Sequence, residues 1–325
     1  MVRKIKGGYL GLAVLFAMLA AMPFIIGEYR LTTVLMMMIW VIVVVSYRLL
    51  ATTGEFSLGH VVVMGIGAYS SAIMSRNMGM SFWVTAPLGG LIAAGFAAAT
   101  ARPLFRMKGM YFLLGSFALG EAIRLCFRGF KEPFGGEGGF WYVPTPSIGS
   151  FIFSDTISYF YLVLGVTAAC LFIMYRIDQS RIGKAMVAIH SQDSLCESLG
   201  INILGYKTLA YITASFFAGI AGALLGHYMT TVSPPQFAIG PMLLVLIWVV
   251  VGGTNTFWGP IAGVFTLYTI QETLRGVLVE WMPMFYGIIL IAMVFALPGG
   301  LESLPARIAE WRKARREKLA GTGAG

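Results

Sequence analysis

Hydrophobic residues make up 58% of the 325 residues, charged residues only 11%, and the mean hydropathy is +0.81. In soluble globular domains roughly a quarter of all residues are charged, so this composition excludes a soluble domain and predicts an integral membrane protein. The formal net charge of +9 does not require a nucleic-acid partner, because lysine and arginine also accumulate in the cytoplasmic segments of membrane proteins.

In chain order, the apolar runs predict an all-α polytopic membrane protein with about ten transmembrane helices. Several runs reach the roughly 20 residues that a helix needs to cross the hydrocarbon core, whereas others are short or broken by glycine. The first run is expected to be an uncleaved anchor, because its apolar stretch of about 19 residues is longer than the core of a secretory signal. The ten predicted segments are 8–26, 31–50, 57–75, 83–102, 109–127, 156–175, 207–229, 238–252, 257–275 and 283–298.

Lysine and arginine predict the orientation of these helices. With a cytoplasmic N-terminus and ten spans, most of the 23 basic residues fall on the cytoplasmic side, as the positive-inside rule requires. We therefore expect both termini in the cytoplasm, a transmembrane domain over residues 1–305 and a basic cytoplasmic tail over 306–325. The tail, which contains "RIAEWRKARREK", has a composition that is attracted to anionic membrane lipid.

Two hydrophilic segments interrupt the apolar pattern, one on each side of the membrane. Residues 128–155 are rich in glycine, proline and aromatic residues, which predicts an outer loop that either docks an external partner or packs on its own helices. Residues 176–207 lie inside and place apolar residues at helical spacing from Ile182 to Leu199, with Gly200 positioned to end the helix. Two acidic residues and few aromatic ones favour a helix that fits a protein groove over one that rests on the membrane.

The stretch "GEFSLGHVVVMGIGAY" (54–69) combines polar side chains with four glycines inside an apolar region. Because an unsatisfied polar group in lipid is costly, Glu55, Ser57 and His60 are expected to face a cavity, a partner helix or the interface. The glycines allow close helix packing and a broken helix of the kind that transporters place near their substrate. For His60, a role in bridging helices is favoured over contact with substrate.

Two further patterns accompany this stretch. Residues 252–263, "GGTNTFWGPIAG", repeat its glycine and hydroxyl pattern weakly, which leaves open an inverted repeat around a pathway. Glu121 and Arg124 lie three residues apart on one predicted helix and can pair with each other. The sequence leaves open whether this pair has a functional or inter-subunit role or only a structural one.

The sequence contains no recognisable motif for catalysis, metal binding or nucleotide binding. Its three cysteines show no C-x-x-C pattern, and neither H-E-x-x-H nor G-x-S-x-G occurs. The one Gly-Lys pair, Gly183–Lys184, lacks the glycine and the hydroxyl residue that a phosphate-binding loop requires around it. We therefore expect a chain that is not an enzyme and holds no cofactor, so that any ATP is hydrolysed by another subunit.

Five stretches, in order, resemble the permease subunits of the branched-chain amino acid type of bacterial ABC importer. The resemblance spans from about residue 30 to about residue 300 and is closer to the second, larger permease of the pair. It implies a second permease, two cytosolic ATP-binding subunits and a periplasmic solute-binding protein as partners, in the bacterial inner membrane. The stretches are "GEFSLGHVVVMGIGAY", "YFLLGSFALGEAIRL" followed by "GGEGG", "GKAMVAIHSQDSLCESLGIN", "SFFAGIAGALLGHYMTTVSPPQF" and "VVVGGTNTFWGPIAG".

The resemblance also implies roles for individual residues. In this family a cytosolic coupling helix fits a groove of the ATPase, and residues 181–200 match that element. The coupling residues are then Arg181, Gly183, Lys184, Ala188, Asp193, Glu197 and Gly200. The expected substrate pathway comprises Glu55, Ser57, Gly59, His60, Glu121, Arg124, Asn255 and Trp258. Glu55 stands where these permeases often carry glutamine, a departure that bears on preference among substrates.

The resulting prediction is a transmembrane permease subunit of an ATP-driven importer. Its solute would be a branched-chain amino acid or a related small polar molecule such as urea, an amide or an aromatic acid. Residues 1–305 would be the permease domain, with the coupling loop 176–207 and the outer loop 128–155. The alternative is an ion-coupled secondary transporter, which would also contain broken helices and intramembrane carboxylates. The coupling-type loop and the lack of a carboxylate relay count against this alternative.

Overall fold

The computed structural model of the chain describes residues 2–274, 284, 287, 288, 291 and 300–303. The chain divides into two compact units, residues 1–246 and 247–325. The described residues form eleven α-helices: α1 (Val2–Ala21), α2 (Glu28–Ala51), α3 (His60–Met78), α4 (Phe82–Phe105), α5 (Met110–Gly129), α6 (Thr156–Gln179), α7 (Arg181–Ser191), α8 (Asp193–Ser198), α9 (Ile203–Met229), α10 (Ile239–Gly252) and α11 (Trp258–Leu274). They also form four short strands: β1 (Phe140–Trp141), β2 (Ser147–Ile148), β3 (Phe151–Ile152) and β4 (Thr231–Val232).

Nine of the ten predicted membrane segments coincide with helices, α1 to α6 and α9 to α11. Among the described residues, six stretches are long and apolar enough to cross a membrane: α2, α4, α5, α6, α9 and residues 234–252. The chain is therefore an all-α, multi-pass membrane protein, as predicted. The tenth predicted segment, 283–298, lies almost entirely outside the described residues, as does the basic tail, 306–325. The count of ten spans stays a prediction.

Helices α2 and α9 form the centre of the first unit. Nearly all side chains of α2 from Leu35 to Ala51 are buried, and α9 packs against α2, α3 and α4. A helix that is apolar and buried on all sides belongs to the interior of a bundle rather than to its surface. The polar residues of α2 and of its C-terminal end are therefore enclosed by the protein itself.

Glycines set the close approach of α3, α4 and α9. A Cβ atom at Gly67 would overlap the backbone of Gly219, and one at Gly89 would lie 2.7 Å from the carbonyl oxygen of Gly67. Gly65 leaves room for the ring of Phe237, which a Cβ atom would meet at 2.8 Å. Small residues let membrane helices pack backbone to backbone in this way. The predicted packing role of the glycines in 54–69 is thereby confirmed at two positions.

The polar segment 176–207 contains two helices, α7 and α8, where the sequence pattern predicted one helix over 182–199. The prediction was wrong at Gln192, whose extended backbone (φ −156°, ψ 91°) separates them. Asp193 then occupies the first turn of α8, where the helix dipole favours a carboxylate. Gly200 follows α8 in the left-handed region (φ +78°), as predicted for the glycine that ends a helix.

The glycine-rich segment 128–155 contains short strands and turns, in keeping with the predicted loop. β1 pairs antiparallel with β4 after α9, and β2 pairs antiparallel with β3 inside the segment. Arg76 on α3 donates a hydrogen bond to the carbonyl oxygen of Trp141, and its guanidinium group lies over the rings of Phe140 and Tyr142. These contacts attach the segment to the ends of α3 and α9.

In the second unit, the end of α10 crosses α11 closely. A Cβ atom at Gly259 would lie 2.7 Å from the carbonyl oxygen of Gly252. The rings of Trp248 and Tyr268 lie 5.9 Å apart between centroids. A 3-10 turn, Leu301–Ser303, packs against α11.

Candidate functional site

Residues 52–59, the first break, separate α2 from α3, between the predicted segments 31–50 and 57–75. The hydroxyl of Ser57 accepts a hydrogen bond from the Gly59 N–H at 3.2 Å. The hydroxyl of Ser116, on α5, accepts one from the Leu58 N–H at 3.0 Å. These two side chains satisfy backbone donors that an interrupted helix would otherwise leave unpaired in an apolar region.

His60 begins α3 and is fully buried. Its Nε2 atom lies 3.0 Å from the hydroxyl oxygen of Ser46, and its ring centroid lies 5.4 Å from that of Tyr47, both on α2. Its Nδ1 atom has no hydrogen-bond partner among the described residues. His60 therefore joins α2 to α3, which is the role that the sequence favoured.

Glu55 lies in the first break and pairs with Lys207 at the start of α9, with 2.9 Å between Oε1 and Nζ. The same ammonium group lies 3.4 Å from a carboxylate oxygen of Asp193 on α8. The Glu55 and Lys207 side chains are only 8% and 13% exposed, whereas Asp193 is 55% exposed. One lysine thus joins a residue predicted for the pathway to a residue predicted for coupling, and the sequence assigned no role to this lysine.

A second buried ion pair joins the end of α2 to the end of α6. Arg48 donates a hydrogen bond to the Asp178 carboxylate at 2.7 Å, and only 2% of the arginine side chain is exposed. Burying a charge is costly unless it is paired, so this contact explains how an interior helix carries an arginine. Sequence analysis missed the pair because its members are 130 positions apart. The available signal was an arginine within the most apolar predicted helix.

Helix α7 follows α6 after a sharp turn. The Ser180 hydroxyl caps α7 by accepting hydrogen bonds from the N–H groups of Ile182 and Gly183. A Cβ atom at Gly183 would lie 2.6 Å from the carbonyl oxygen of Ile177, so only glycine fits this turn. The predicted coupling position Gly183 is therefore required by the local backbone, whatever binds outside.

The coupling segment, residues 181–200, has a buried and an exposed face. Its buried side chains belong to Met186, Ile189 and Cys196, and Gly183 is also buried. Val187 and Leu195 stay exposed among charged residues. This face therefore combines exposed apolar side chains with charged ones. The predicted coupling residues on the exposed face are Arg181, Lys184, Ala188, Asp193, Glu197 and Gly200.

Glu121 and Arg124 on α5 form the ion pair that their spacing predicted. Arg124 donates hydrogen bonds to both carboxylate oxygens of Glu121, and the bond from Nε measures 2.8 Å. Glu121 is 33% exposed and lines a narrow crevice whose apolar walls include Leu58, Val62 and Phe237. The crevice adjoins the first break, because Leu58 belongs to both.

Most of the surface of α5 is not covered by the rest of the described chain. The buried residues of α5 are Phe112, Ser116, Gly120 and Phe127. A charged pair on an uncovered face of a membrane helix favours contact with another chain or with water over contact with lipid. The Glu121–Arg124 pair thus lies on a face of α5 that the rest of the described chain does not cover.

Residues 253–257, the second break, separate α10 from α11. Gly253 adopts a φ of +99°. The Glu302 carboxylate accepts hydrogen bonds from the backbone N–H groups of Asn255 and Thr256, at 3.0 and 2.7 Å. It also accepts one from the Thr256 hydroxyl at 2.6 Å. Sequence analysis missed Glu302, although a lone carboxylate directly after the last apolar segment was a usable signal.

The predicted pathway residues occupy different settings rather than one surface. In the first unit, Ser57, Gly59 and His60 are buried at the first break, and Glu55 pairs with Lys207 on α9. Glu121 and Arg124 form their own pair on α5. In the second unit, Asn255 is exposed and Trp258 is half-buried beside Phe257. Among the residues that the structure describes, no group of three His, Cys, Asp or Glu side chains is placed to hold a metal ion.

The model of a protein family, branched-chain amino acid transport system / permease component, matches residues 29–294. The chain belongs to this permease family. A permease component is one part of a transport system, so the chain works with further subunits. The region matched by the permease family contains the first break, the coupling segment and the second break.

Curated relatives agree with this assignment. The chain is 27% identical, over 314 residues, to the high-affinity branched-chain amino acid transport system permease protein LivM of Salmonella typhimurium. The alignment covers 89% of this chain and 74% of that protein, and the LivM of Escherichia coli gives the same values. The nucleoside ABC transporter permease protein NupC of Lactococcus lactis is 22% identical over 53% of this chain and 58% of its own length. No solved structure matches the chain significantly.

Proposed function

We propose that this chain forms, with a second permease, the translocation pathway of an ATP-driven importer for branched-chain amino acids. The permease family and the LivM relatives support the reaction and the solute class. One observation carries the proposal: the α7–α8 segment presents an exposed face of apolar and charged side chains and contacts the membrane helices through Lys207 on α9 and Gly54 after α2. Such an attachment is what an importer needs in order to transmit motion from a cytosolic motor.

Two cytosolic ATP-binding subunits hydrolyse the ATP, since this sequence has no phosphate-binding loop and the chain itself needs no cofactor. One of them contacts the exposed face of the coupling segment, where Lys184 and Glu197 lie near exposed Val187 and Leu195. With the coupling segment in the cytoplasm, both termini are cytoplasmic, and segment 128–155 faces the periplasm of a bacterial inner membrane.

A periplasmic solute-binding protein docks on segment 128–155. Trp141 and Tyr142 are 56% and 82% exposed, while Arg76 holds this part of the backbone in place. Tyr142 has a φ of +61°, which is uncommon for a bulky residue and often accompanies function. Exposed aromatic side chains on a fixed backbone suit a protein contact.

Solute passes between α5 and the second permease, because α5 is largely uncovered and carries the Glu121–Arg124 pair. Each break contains a glycine with positive φ and a hydroxyl that accepts a hydrogen bond from a glycine N–H. This likeness supports an inverted repeat of helices in the chain. ATP-driven closure of the cytosolic subunits moves the coupling segment and rocks the bundle between outward- and inward-open states. Selectivity then rests mainly with the solute-binding protein.

Purification and reconstitution test this function. The tagged chain, extracted in mild detergent, should co-purify with a second permease and with ATP-binding subunits. Vesicles that contain this assembly and the solute-binding protein should take up radiolabelled leucine only when ATP is inside the compartment that holds the ATP-binding subunits. Uptake that persists without those subunits and collapses with the proton gradient would instead establish an ion-coupled secondary transporter.

Two carboxylates on different helices test the pathway. Glu121→Gln should lower leucine uptake about tenfold, the loss expected when a hydrogen bond to a charged group is removed. Glu272→Gln, the matched change on α11, should leave uptake within about twofold of wild type, because Glu272 has no place in the proposed pathway. Equal and small effects of both substitutions would remove Glu121 from the pathway.

A further inference from the structure

We propose that Lys207 is a positioning residue that ties the coupling segment to the first break, so that movement of α7–α8 displaces the backbone beside the pathway. The proposal rests on the proposed function, because it names the part that transmits motion within such an importer. It concerns contacts within the first unit only. Lys207 itself touches neither solute nor nucleotide in this scheme.

The Lys207 ammonium group is shared by two carboxylates in different environments. Its contact with Glu55, at 2.9 Å, is almost fully enclosed, whereas its contact with Asp193, at 3.4 Å, lies beside a half-exposed side chain. A buried ion pair is costly to break, because either charge left alone would be desolvated without compensation. An exposed one exchanges with water at little cost. The Glu55 contact therefore fixes Lys207 to the first break, and the Asp193 contact is the one by which Lys207 reaches α8.

Two further contacts lie around the same break, one at the end of α6 and one on α7. Asp178, at the end of α6 just before α7, pairs with Arg48 near the end of α2. His190, on α7, packs against Gly54: a Cβ atom at Gly54 would lie 2.7 Å from the Nδ1 atom of His190. The Asp193 and His190 contacts hold the coupling segment itself, and the Arg48–Asp178 pair fixes the end of α6 from which the segment starts. Displacement of α7–α8 is consequently passed to residues 52–59.

The first break in turn contacts α5 directly. The Leu58 N–H donates to the Ser116 hydroxyl, and a Cβ atom at Gly59 would lie 2.6 Å from the Ser116 carbonyl oxygen. One turn further along α5, a Cβ atom at Gly120 would lie 3.1 Å from the Cα atom of Gly59. Gly120 immediately precedes Glu121. A continuous series of packed contacts thus leads from Lys207 to the charged pair on α5, which is the kind of physical network that carries coupling.

Charge reversal tests the attachment in the assembled importer, with radiolabelled leucine as solute. Lys207→Glu places a third carboxylate beside Glu55 and Asp193, and Glu55→Lys places a second ammonium beside Lys207. Each single variant should lower leucine uptake about tenfold while ATP hydrolysis persists, because a mostly buried pair is replaced by repulsion. The double variant restores opposite charges at the buried contact and should recover uptake to within about threefold of wild type.

The controls separate this proposal from the proposed function. Lys108→Glu makes the same charge change at an exposed lysine between α4 and α5, and it should leave the ratio of ATP hydrolysed to leucine transported unchanged. If wild type shows no ATP-driven uptake, the proposed function itself is wrong. If wild type transports leucine and the single variants keep its uptake and its ratio, only the attachment is refuted. A double variant that assembles but performs no better than the single ones also refutes it.

Asp193→Asn keeps the test decisive if the charge reversals do not assemble. Its side chain is half-exposed and the buried pair is retained, so the variant should fold and assemble. We expect about twofold more ATP hydrolysed per leucine, the size of effect that one weak surface contact can have. An unchanged ratio in Asp193→Asn would contradict the proposal.

Discussion

After α2 and after α10 the chain makes the same kind of break. In both, a glycine with positive φ follows the helix, Gly54 at +85° and Gly253 at +99°. In both, a hydroxyl side chain accepts a hydrogen bond from a glycine N–H at the start of the next helix, from Gly59 to Ser57 and from Gly259 to Thr256. The local chemistry of the two breaks is therefore closely similar.

The two breaks differ in which part of the chain supplies the charged side chain. The first break supplies the charged side chain itself: its Glu55 pairs with Lys207, which lies 152 positions later on α9. At the second break, the carboxylate of Glu302, which lies outside the break, accepts hydrogen bonds from the backbone of Asn255 and Thr256. A break that contributes its own charge to a remote element depends on where that element lies. The second break instead receives its carboxylate from Glu302, 47 positions after Asn255, and that carboxylate binds the backbone of the break directly.

The largest expected effect comes from removing the ion pair beside the first break. Asp178→Ala takes the carboxylate partner from buried Arg48 and should lower the free energy of unfolding by about 3 kcal/mol. Unfolding in mixed detergent micelles, followed by circular dichroism, measures this change. Glu137→Ala removes the partner of exposed Arg128 and is the control, with a change within about 0.5 kcal/mol. Equal changes for the two variants would contradict the structural importance of the buried pair.

Removal of the cap at the second break should have an intermediate effect. Glu302→Ala deletes three hydrogen bonds and should lower the free energy of unfolding by about 2 kcal/mol. Hydrogen exchange by mass spectrometry should show faster exchange at the Asn255 and Thr256 amides and no change at residues 52–59. Faster exchange at the first break as well would contradict local stabilisation of the second.

The smallest effects, and the sharpest comparison, come from the two glycines. Gly54→Ala and Gly253→Ala should each cost about 1 kcal/mol of unfolding free energy, because positive φ disfavours residues with a Cβ atom. At Gly54 the new methyl group would also meet the His190 ring, so adding His190→Ala should recover part of the loss. At Gly253 it would meet the Glu302 carboxyl group, whose removal adds to the loss because the cap disappears. Unfolding in detergent measures the free energies of the two double variants, Gly54→Ala/His190→Ala and Gly253→Ala/Glu302→Ala. If the second substitution changed the unfolding free energy in the same direction in both, the two breaks would not differ in this respect.

The existence of the first break was predictable, because glycine and polar residues interrupt a long apolar run. The partner of its most important side chain, Glu55, was not predictable. Glu55 carried a predicted pathway role, yet it pairs with Lys207, and no local pattern connects two residues 152 positions apart. The coupling segment shows the same limit, since its apolar spacing continued across Gln192 and concealed the interruption between α7 and α8.

Sequence alone determined the membrane class, the positions of nine described helices, the amphipathic segment after α6 and the ion pair between Glu121 and Arg124. All of these follow from hydropathy, glycine placement or spacing within one helix, which are local properties of the chain. Tertiary structure decided that Lys207 joins Glu55 to Asp193 and that Arg48 joins Asp178. A buried charge must find an opposite charge wherever the packed helices bring one, and that neighbour is defined only once the bundle has formed.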